Sequence, residues 1–341
     1  MLINAVFDDI RMRSRENAHP AFDKVVHVVH AEWHGIRKAT AYCPGQKLLI
    51  PGEEDLEDAE IESIAERLSE LGITRIVFQG YSKNADRLAL HLRAVFDPSV
   101  QLYAVTHVTT AQFDHVFEME MQSLLFTRRR YNTLSGLGSL KPGFHKAFPE
   151  YWPQTLLNFA PSVDRSVFMK SPGGLREAYV PLDVGWRKNL YTNALGCALS
   201  EKIARVSVTN FPTGLEALAD VSKLRLVGFL RGDALLSKMA TSDVVVLGTF
   251  AECQPTTQLE ALAVGTPVLT GPLGLDDFAG DPLCDLTQMT ILDNPAEITA
   301  SLDRLLDVID SDDAEISQMI DAHLAKRHKL AFERYADFLQ L

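Results

Sequence analysis

The chain has 341 residues and a formal net charge of −12, with 46% hydrophobic and 23% charged residues. These values are ordinary for a globular protein of two domains, and the negative charge disfavours binding to nucleic acid, which requires Lys and Arg to neutralise phosphate. The sequence has no signal peptide, no apolar run near the roughly 20 residues that span a bilayer, and no C-x-x-C spacing among its four cysteines. We therefore expect a cytoplasmic protein with reduced thiols.

Short apolar runs alternate with helical periodicity through the first half of the chain. Strands are predicted at residues 2–7, 24–30, 47–50, 75–79 and 101–106, and extended segments at residues 133–140 and 155–159. Helices are predicted at residues 55–71, 82–96 and 110–126. This βα alternation is typical of a parallel sheet with helices on both faces.

The alternation restarts after a proline-containing segment at residues 158–172, which we interpret as an interdomain linker. Strands are predicted at residues 178–182, 204–209, 224–230, 243–247 and 267–270, and helices at 188–200, 234–240, 256–264, 296–308 and 314–339. We expect an α/β chain of two Rossmann-like, doubly wound domains, residues 1–165 and 166–325, that face a cleft. The apolar stripe of the last helix predicts that residues 326–341 pack back on the first domain.

Two carboxylates follow a predicted strand of the second half, where ligands of open α/β sheets bind. Glu252 lies in the loop after the strand at residues 243–247, and Glu260 lies eight positions later on the next helix. Pro255 suits the first turn of that helix, with Thr256 and Thr257 beside it. Because the first N–H groups of a helix have no partner within it, this turn can hold an anion between the two carboxylates.

A second loop carries two cations. Residues 180–189, Val-Pro-Leu-Asp-Val-Gly-Trp-Arg-Lys-Asn, run from an apolar strand through a glycine to Arg187 and Lys188 at the start of a helix. A guanidinium fork and an ammonium beside a helix N-terminus suit a diphosphate. The alternative is a pair of solvated cations, although the helix dipole disfavours positive charge at this end.

The run Glu252-x7-Glu260-Ala-Leu-Ala-Val-Gly-Thr-Pro-Val resembles the signature of retaining GT-B glycosyltransferases of family 4. The resemblance covers residues 178–292, about a third of the chain, and this chain has Glu252-Cys-Gln-Pro where the family often has Glu-Gly-Phe-Gly. It implies a GT-B fold in which Glu260 bonds the ribose of a nucleotide-sugar, Glu252 contacts the donor sugar, and Lys188 holds the diphosphate. The arginine that the family has earlier in the chain is absent here, and either Arg187 or Arg231 could replace it. The resemblance further implies transfer with retention of configuration, without a metal or another cofactor; a UDP-sugar is the favoured donor.

Candidate residues of the first half also follow strands. His107 comes directly after the strand at residues 101–106, a position where relatives often have a histidine that reaches the donor sugar or the acceptor. Trp33 and His34 follow the strand at residues 24–30 and are candidate acceptor contacts, because an indole ring can cover a sugar face. Packing roles for all three residues remain open at this stage.

A basic run, Arg128, Arg129 and Arg130, lies in a region with few acidic residues. It could contact an anionic membrane surface or a lipid-pyrophosphate acceptor, or it could be a solvated face. On the membrane interpretation, the protein would be peripheral to the inner face of the membrane.

The sequence therefore predicts a glycosyltransferase of cell-surface glycan or glycoconjugate synthesis. Its partners would be a nucleotide-sugar and a glycan, a lipid-linked acceptor or another hydroxyl acceptor, and nucleic acid is not expected. Two alternatives remain, a GT-B-fold nucleotide-sugar epimerase and a noncatalytic nucleotide-sugar- or glycan-binding protein. A P-loop kinase is disfavoured because no Gly-x4-Gly-Lys-Ser/Thr loop occurs.

Overall fold

The computed structural model describes residues 17–168 and 174–341. They form two compact units. The first unit comprises the chain up to Ser162 together with Arg327–Leu341, and the second comprises Val163–Lys326. Each unit is built on one parallel β-sheet with its own hydrophobic core.

The first unit alternates strands and helices in chain order. Its strands are β1 (Val25–His30), β2 (Gln46–Ile50), β3 (Arg75–Gln79), β4 (Gln101–Thr106) and β5 (Gly136–Ser139). Its helices are α1 (His34–Ala41), α2 (Asp58–Glu70), α3 (Lys83–Val95), α4 (Val116–Arg130) and the short α5 (Phe144–Ala147). The described strands are ordered β2-β1-β3-β4-β5 and all pair in parallel.

The order of the first sheet has one reversal point. From β1 the chain adds β2 on one side and then β3, β4 and β5 on the other, so the order switches between β1 and β3. All six residues of β1 are buried, as expected for a parallel strand that is covered on both faces. Ligands of such sheets bind beyond the carboxyl ends of the strands at the switch point.

The second unit repeats this design with another strand order. Its strands are β6 (Glu177–Val180), β7 (Arg205–Val208), β8 (Leu224–Leu226), β9 (Val244–Leu247) and β10 (Val268–Thr270). Its helices are α6 (Leu190–Leu199), α7 (Gly232–Thr241), α8 (Thr256–Ala263), α9 (Pro282–Thr287) and α10 (Pro295–Ser311), followed by the start of α11 (Asp313–Leu339). The parallel order β10-β9-β6-β7-β8 places the switch point between β6 and β9.

The second part of α11 belongs to the first unit. Tyr335 and Phe338 are 1% exposed, and Phe332 packs edge-on against Phe22 and Phe159 at 5.8 and 5.0 Å between ring centroids. The stripe that the sequence shows at these positions is therefore a core-forming face.

The predicted α/β class with two Rossmann-like sheets is confirmed. Most predicted strands and helices occur within a few residues of their predicted bounds, and the strand predicted at residues 2–7 lies outside the described residues. Residues 155–159, predicted to be extended, form no strand, and the prediction missed the helices α1, α5 and α9. The basic run was also not foreseen as helical, since α4 extends to Arg130.

Candidate functional site

The candidate residues of the second unit lie at the switch point of its sheet. Arg187 and Lys188 form a single 3-10 turn, Trp186–Lys188, in the loop after β6, and Glu252 lies in the loop after β9. Because β6 and β9 are neighbours in the sheet, their carboxyl ends bring the two loops together. The loops are also joined directly, since the Phe250 N–H donates to the carbonyl oxygen of Arg187 at 3.0 Å.

Two buried asparagines fix the geometry of these loops. Asn189 adopts a left-handed conformation (φ 56°) and donates from Nδ2 to Gly248 O at 3.0 Å and to Leu292 O at 2.6 Å. Asn193 accepts from the Gly248 N–H at 2.9 Å and donates to Gly248 O at 3.0 Å. A Cβ at Gly248 would lie 2.5 Å from Asn193 Oδ1, so only glycine allows this approach.

Glu252 forms an ion cluster with the two cations. Lys188 Nζ lies 2.5 Å and Arg187 Nη1 lies 3.3 Å from the same oxygen, Oε1, of Glu252. Arg187 also donates to Ala251 O at 2.6 Å. The three side chains are 30%, 25% and 18% exposed for Lys188, Arg187 and Glu252, so the cluster is partly screened from water. Two cations and one carboxylate leave one net positive charge at the end of the sheet.

The helix that follows Glu252 begins after a proline. Pro255 is the N-cap residue of α8 and makes no side-chain cap bond to the N–H groups of the first turn, where Thr256 and Thr257 lie. The N-terminus of a helix, with its positive dipole end, is suited to an anionic ligand. The helix ends in a Schellman motif at Gly265 (φ 88°), with bonds from Thr266 N to Ala261 O and from Gly265 N to Leu262 O.

Glu260 is buried within the second unit. It is 2% exposed on α8, and its charge acts on Tyr179 of β6. Burial, together with this carboxylate, raises the pKa of the Tyr179 phenol above its usual value. A buried carboxylate is costly unless hydrogen bonds or a bound ligand compensate for the lost hydration, so its placement requires a specific reason.

The candidate residues of the first unit lie near the switch point of their own sheet. Trp33 is the N-cap residue of α1, and its ring stacks on His30, the last residue of β1, at 3.8 Å between centroids. It also covers Gly80 after β3, where a Cβ would lie 2.8 Å from the indole ring. His34 is exposed and lies 2.9 Å from Arg37 Nη2 through its Nδ1.

A hydrogen-bonded chain crosses the sheet to His107. His27 Nε2 lies 2.9 Å from Pro44 O, His27 Nδ1 lies 2.9 Å from Gln79 Nε2, and Gln79 Oε1 lies 2.7 Å from His107 Nε2. The three side chains come from β1, from the end of β3 and from the position after β4, which are neighbouring strands.

The donors and acceptors available fix the direction of each hydrogen bond from Pro44 through His27 and Gln79 to His107. Pro44 O can only accept, so His27 Nε2 carries the proton and His27 Nδ1 accepts from the Gln79 amide. The Gln79 carbonyl oxygen must then accept from His107 Nε2–H, which leaves the lone pair of neutral His107 on Nδ1.

Burial keeps His27, His30 and His107 of the first unit neutral. Desolvation lowers the pKa of His27 to about 3, with Lys47 contributing, and desolvation alone lowers the pKa of His107 to about 3. The pKa of His30 falls to about 4 for the same reason. A neutral His107 can donate or accept a hydrogen bond but does not add a positive charge.

The sequence analysis gave no role to Gln79, Asn189, Asn193 or His27. The usable signal for His27 was a polar residue within the apolar run Val-Val-His-Val-Val-His of β1. Gln79 gave a weaker signal, since a single amide at a strand end is common.

The basic run is largely engaged within the first unit. Arg128 forms a bidentate pair with Asp86, with Nε–Oδ1 and Nη2–Oδ2 distances of 2.7 Å, and Arg130 lies 3.0 Å from Glu150. Two of the three charges are therefore paired, which weakens the membrane-surface interpretation, and this interpretation stays a prediction. No helix among the described residues is long and apolar enough to cross a bilayer.

No protein-family model matches the chain, and no curated protein matches it by sequence. Solved structures are similar in fold. A sucrose-phosphate synthase from Thermosynechococcus elongatus is 12% identical, with a TM-score of 0.59 over 90% of this chain and 94% of that one. HepE from Anabaena, in complex with UDP, is 11% identical, with a TM-score of 0.64 over 93% of this chain and 100% of that one.

A third similar structure is an α-glucosyltransferase in complex with UDP and a 13-mer DNA. It is 10% identical, with a TM-score of 0.57 over 93% of this chain and 100% of that one. Identities this low establish a common fold and nothing further. The predicted GT-B fold class is confirmed on this basis.

Proposed function

We propose that the chain is a glycosyltransferase that binds a nucleotide-sugar through its second unit and transfers the sugar to an acceptor hydroxyl. The observation that carries the proposal is the cluster of Arg187, Lys188 and Glu252 at the switch point, where Glu252 lies four residues before the first residue of α8. The fold supports many activities, so the proposal depends on these side chains.

The cluster suits the chemistry of a diphosphate leaving group. Cleavage of the bond between sugar and phosphate places negative charge on the diphosphate, and fixed positive groups stabilise that charge. Lys188 and Arg187 supply two cations, and the first turn of α8, with Thr256 and Thr257, supplies N–H groups. We propose that these groups stabilise the leaving group without a metal ion.

The two carboxylates suit the sugar hydroxyls of the donor. An ionised carboxylate accepts several strong hydrogen bonds, and vicinal hydroxyls provide paired donors. We assign the ribose to Glu260 and the donor sugar to Glu252, as the Glu-x7-Glu resemblance implies. Retention of configuration is proposed from the Glu-x7-Glu resemblance.

We assign the acceptor to the first unit. Neutral His107, with its protonated Nε2 held by Gln79, offers a hydrogen-bonding group to the reacting sugar or the acceptor. Trp33, partly buried at the end of β1, and exposed His34 are the proposed acceptor contacts. The proposed acceptor is a glycan, a lipid-linked glycan or another hydroxyl compound of cell-surface glycan synthesis.

UDP is the proposed nucleotide. HepE and the α-glucosyltransferase with the similar fold were both solved with UDP. The second of these was solved with DNA, whereas the net charge of −12 on this chain disfavours a nucleic-acid acceptor.

Ligand-dependent thermal stability tests the donor site directly. UDP, GDP, ADP, CMP and dTDP are each added at about 100 times the expected dissociation constant, which stabilises a binding protein by about 2.7 kcal/mol. We expect a shift with UDP that Glu260→Gln abolishes. Glu297→Gln on α10 is the matched control, because it removes an exposed carboxylate from the same unit and should retain the shift.

The absence of a shift with every nucleotide and with intact UDP-sugars would refute the donor site. Turnover separates the remaining alternatives. A transferase releases UDP in proportion to added acceptor, whereas an epimerase converts the UDP-sugar without one, and a noncatalytic binder does neither.

A further inference from the structure

Three potential metal ligands converge in the second unit, on elements that do not carry Lys188, Glu252 or Glu260. Asp281 is the N-cap residue of α9, Cys284 lies in the first turn of the same helix, and His323 comes from α11. One ligand atom of each residue, a carboxylate oxygen, the thiol sulfur and an imidazole nitrogen, lies within 4.8 Å of the other two. We call these residues the Asp–Cys–His cluster.

Local structure places the three side chains together. The Asp281 carboxylate accepts from the Cys284 N–H at 3.1 Å, as the N-cap side chain of a helix does, so both side chains lie at the same end of α9. His323 is 4% exposed and Asp281 9%, whereas Cys284 is partly exposed. The cluster is therefore largely desolvated.

The distances are close to those of four-coordinate zinc. Zn–N and Zn–O distances of about 2.1 Å and a Zn–S distance of about 2.3 Å place tetrahedral ligand atoms about 3.3 to 3.6 Å apart. His323 Nδ1 lies 3.2 Å from both Asp281 oxygens and 3.9 Å from Cys284 Sγ, so shifts of a few tenths of an ångström would bring these atoms to the ligand spacing.

We propose that the Asp–Cys–His cluster binds one Zn²⁺ or a similar borderline-soft divalent cation. Sulfur and imidazole ligands select such an ion over Mg²⁺ or Ca²⁺, which require oxygen ligands. Binding releases the thiol proton of Cys284 to solvent, and His323 binds through Nδ1 as a neutral imidazole. The ion, one thiolate and one carboxylate then sum to zero charge, which suits a desolvated site.

The fourth position of the ion would hold water. The ion would fasten α11 to α9 four residues before Arg327, where α11 passes from the second unit to the first. This role is structural, and the inference is independent of the proposed glycosyl transfer.

Cobalt substitution tests the proposal on the full-length chain. The protein is stripped with a chelator under reducing conditions and titrated with Co²⁺. We expect one equivalent to bind with the visible bands of tetrahedral cobalt and a near-ultraviolet sulfur-to-cobalt band. Cys284→Ser should abolish the sulfur band, and His323→Gln should weaken binding more than tenfold.

Two further variants separate loss of binding from loss of folding. Asp281→Asn keeps an equally good N-cap oxygen for α9 but removes the carboxylate charge, so it should fold and bind Co²⁺ more than tenfold more weakly. Cys43→Ala changes a buried cysteine of the first unit and should keep every band. Absence of a sulfur band in the folded wild-type protein, or its persistence in Cys284→Ser, would overturn the proposal.

Discussion

Lowering the pH should destabilise the first unit because three of its histidines are held neutral. His27 and His30 are fully buried in β1, and His107 is partly buried after β4. Their pKa values fall from the usual 6.5 to about 3, 4 and 3 respectively, chiefly through desolvation. His27 faces Lys47, Gln79 and Tyr335, and none of these is a carboxylate that could offset protonation.

The direction in which the free energy of unfolding changes with pH follows from proton linkage. The unfolded chain binds protons near pH 6.5 and the folded chain does not, so the free energy of unfolding is highest above this pH and decreases as the pH falls toward 4. Between pH 7.5 and 5.5 each histidine costs about 1.4 kcal/mol, and the three together cost about 4 kcal/mol. This is a large share of the roughly 5 to 15 kcal/mol that stabilises a typical domain.

Urea unfolding at pH 7.5, 6.5 and 5.5 measures this loss. Trp33 and Trp152 report on the first unit, and Trp186→Phe removes the signal of the second. His27→Gln should reduce the pH-dependent loss of stability by about a third, because it removes one of the three titrating side chains. The variant should still fold, because the glutamine amide can still donate to Pro44 O. His115→Gln, at a side chain that is 74% exposed, should leave the loss unchanged. An unfolding midpoint that does not move between pH 7.5 and 5.5 would refute the reasoning.

Three substitutions test the candidate site. Gln79→Glu places a carboxylate 2.7 Å from His107 Nε2 and should raise the His107 pKa by about 1 to 3 units, measured by NMR titration; an unchanged pKa contradicts the hydrogen-bonded chain. Asn193→Ala removes the two hydrogen bonds of this side chain to the backbone of Gly248 and should lower the free energy of unfolding of the second unit by about 2 to 4 kcal/mol in urea. A decrease below about 1 kcal/mol would mean that these two hydrogen bonds contribute little to the stability of the second unit. Glu252→Gln should tighten UDP binding about threefold to fivefold in calorimetry and lower sugar transfer about 100-fold; weaker UDP binding would contradict competition for Lys188.

The fold was largely predictable because most of its strands and helices have a recognisable local sequence pattern. β3 and β4 have the predicted bounds, since each is a short apolar run between turn residues. α1 was missed because its N-cap residue is Trp33, which makes no side-chain cap bond, and because its second residue is Gly35. α9 has a start signal, with Asp281 as N-cap and Pro282 as first residue, but its six residues are too few to show helical periodicity.

The relation between Glu252 and Glu260 was predictable because the two residues are close in sequence. Glu252 and Glu260 lie on a loop and the next helix, so eight positions of chain define their relation. The chain from His27 through Gln79 to His107 spans 52 and then 28 positions. It exists because β1, β3 and β4 are adjacent, which depends on strand order and register rather than on any local pattern.

The ion cluster after β6 and β9 adds a constraint that the sequence pattern did not contain. In the structure Lys188 and Arg187 both contact Oε1 of Glu252, so the cations proposed for the diphosphate already hold the carboxylate proposed for the sugar. A diphosphate carries two negative charges against the single positive charge of the cluster, so on the proposed function it competes with Glu252 for both cations. Its arrival would release the Glu252 carboxylate next to the sugar that accompanies it. Without the diphosphate, Glu252 keeps two cations from facing each other in a partly buried loop, where their repulsion would otherwise be poorly screened. On the proposed function, the same ion pair would stabilise the loops before the donor binds and would link recognition of the sugar to recognition of the diphosphate.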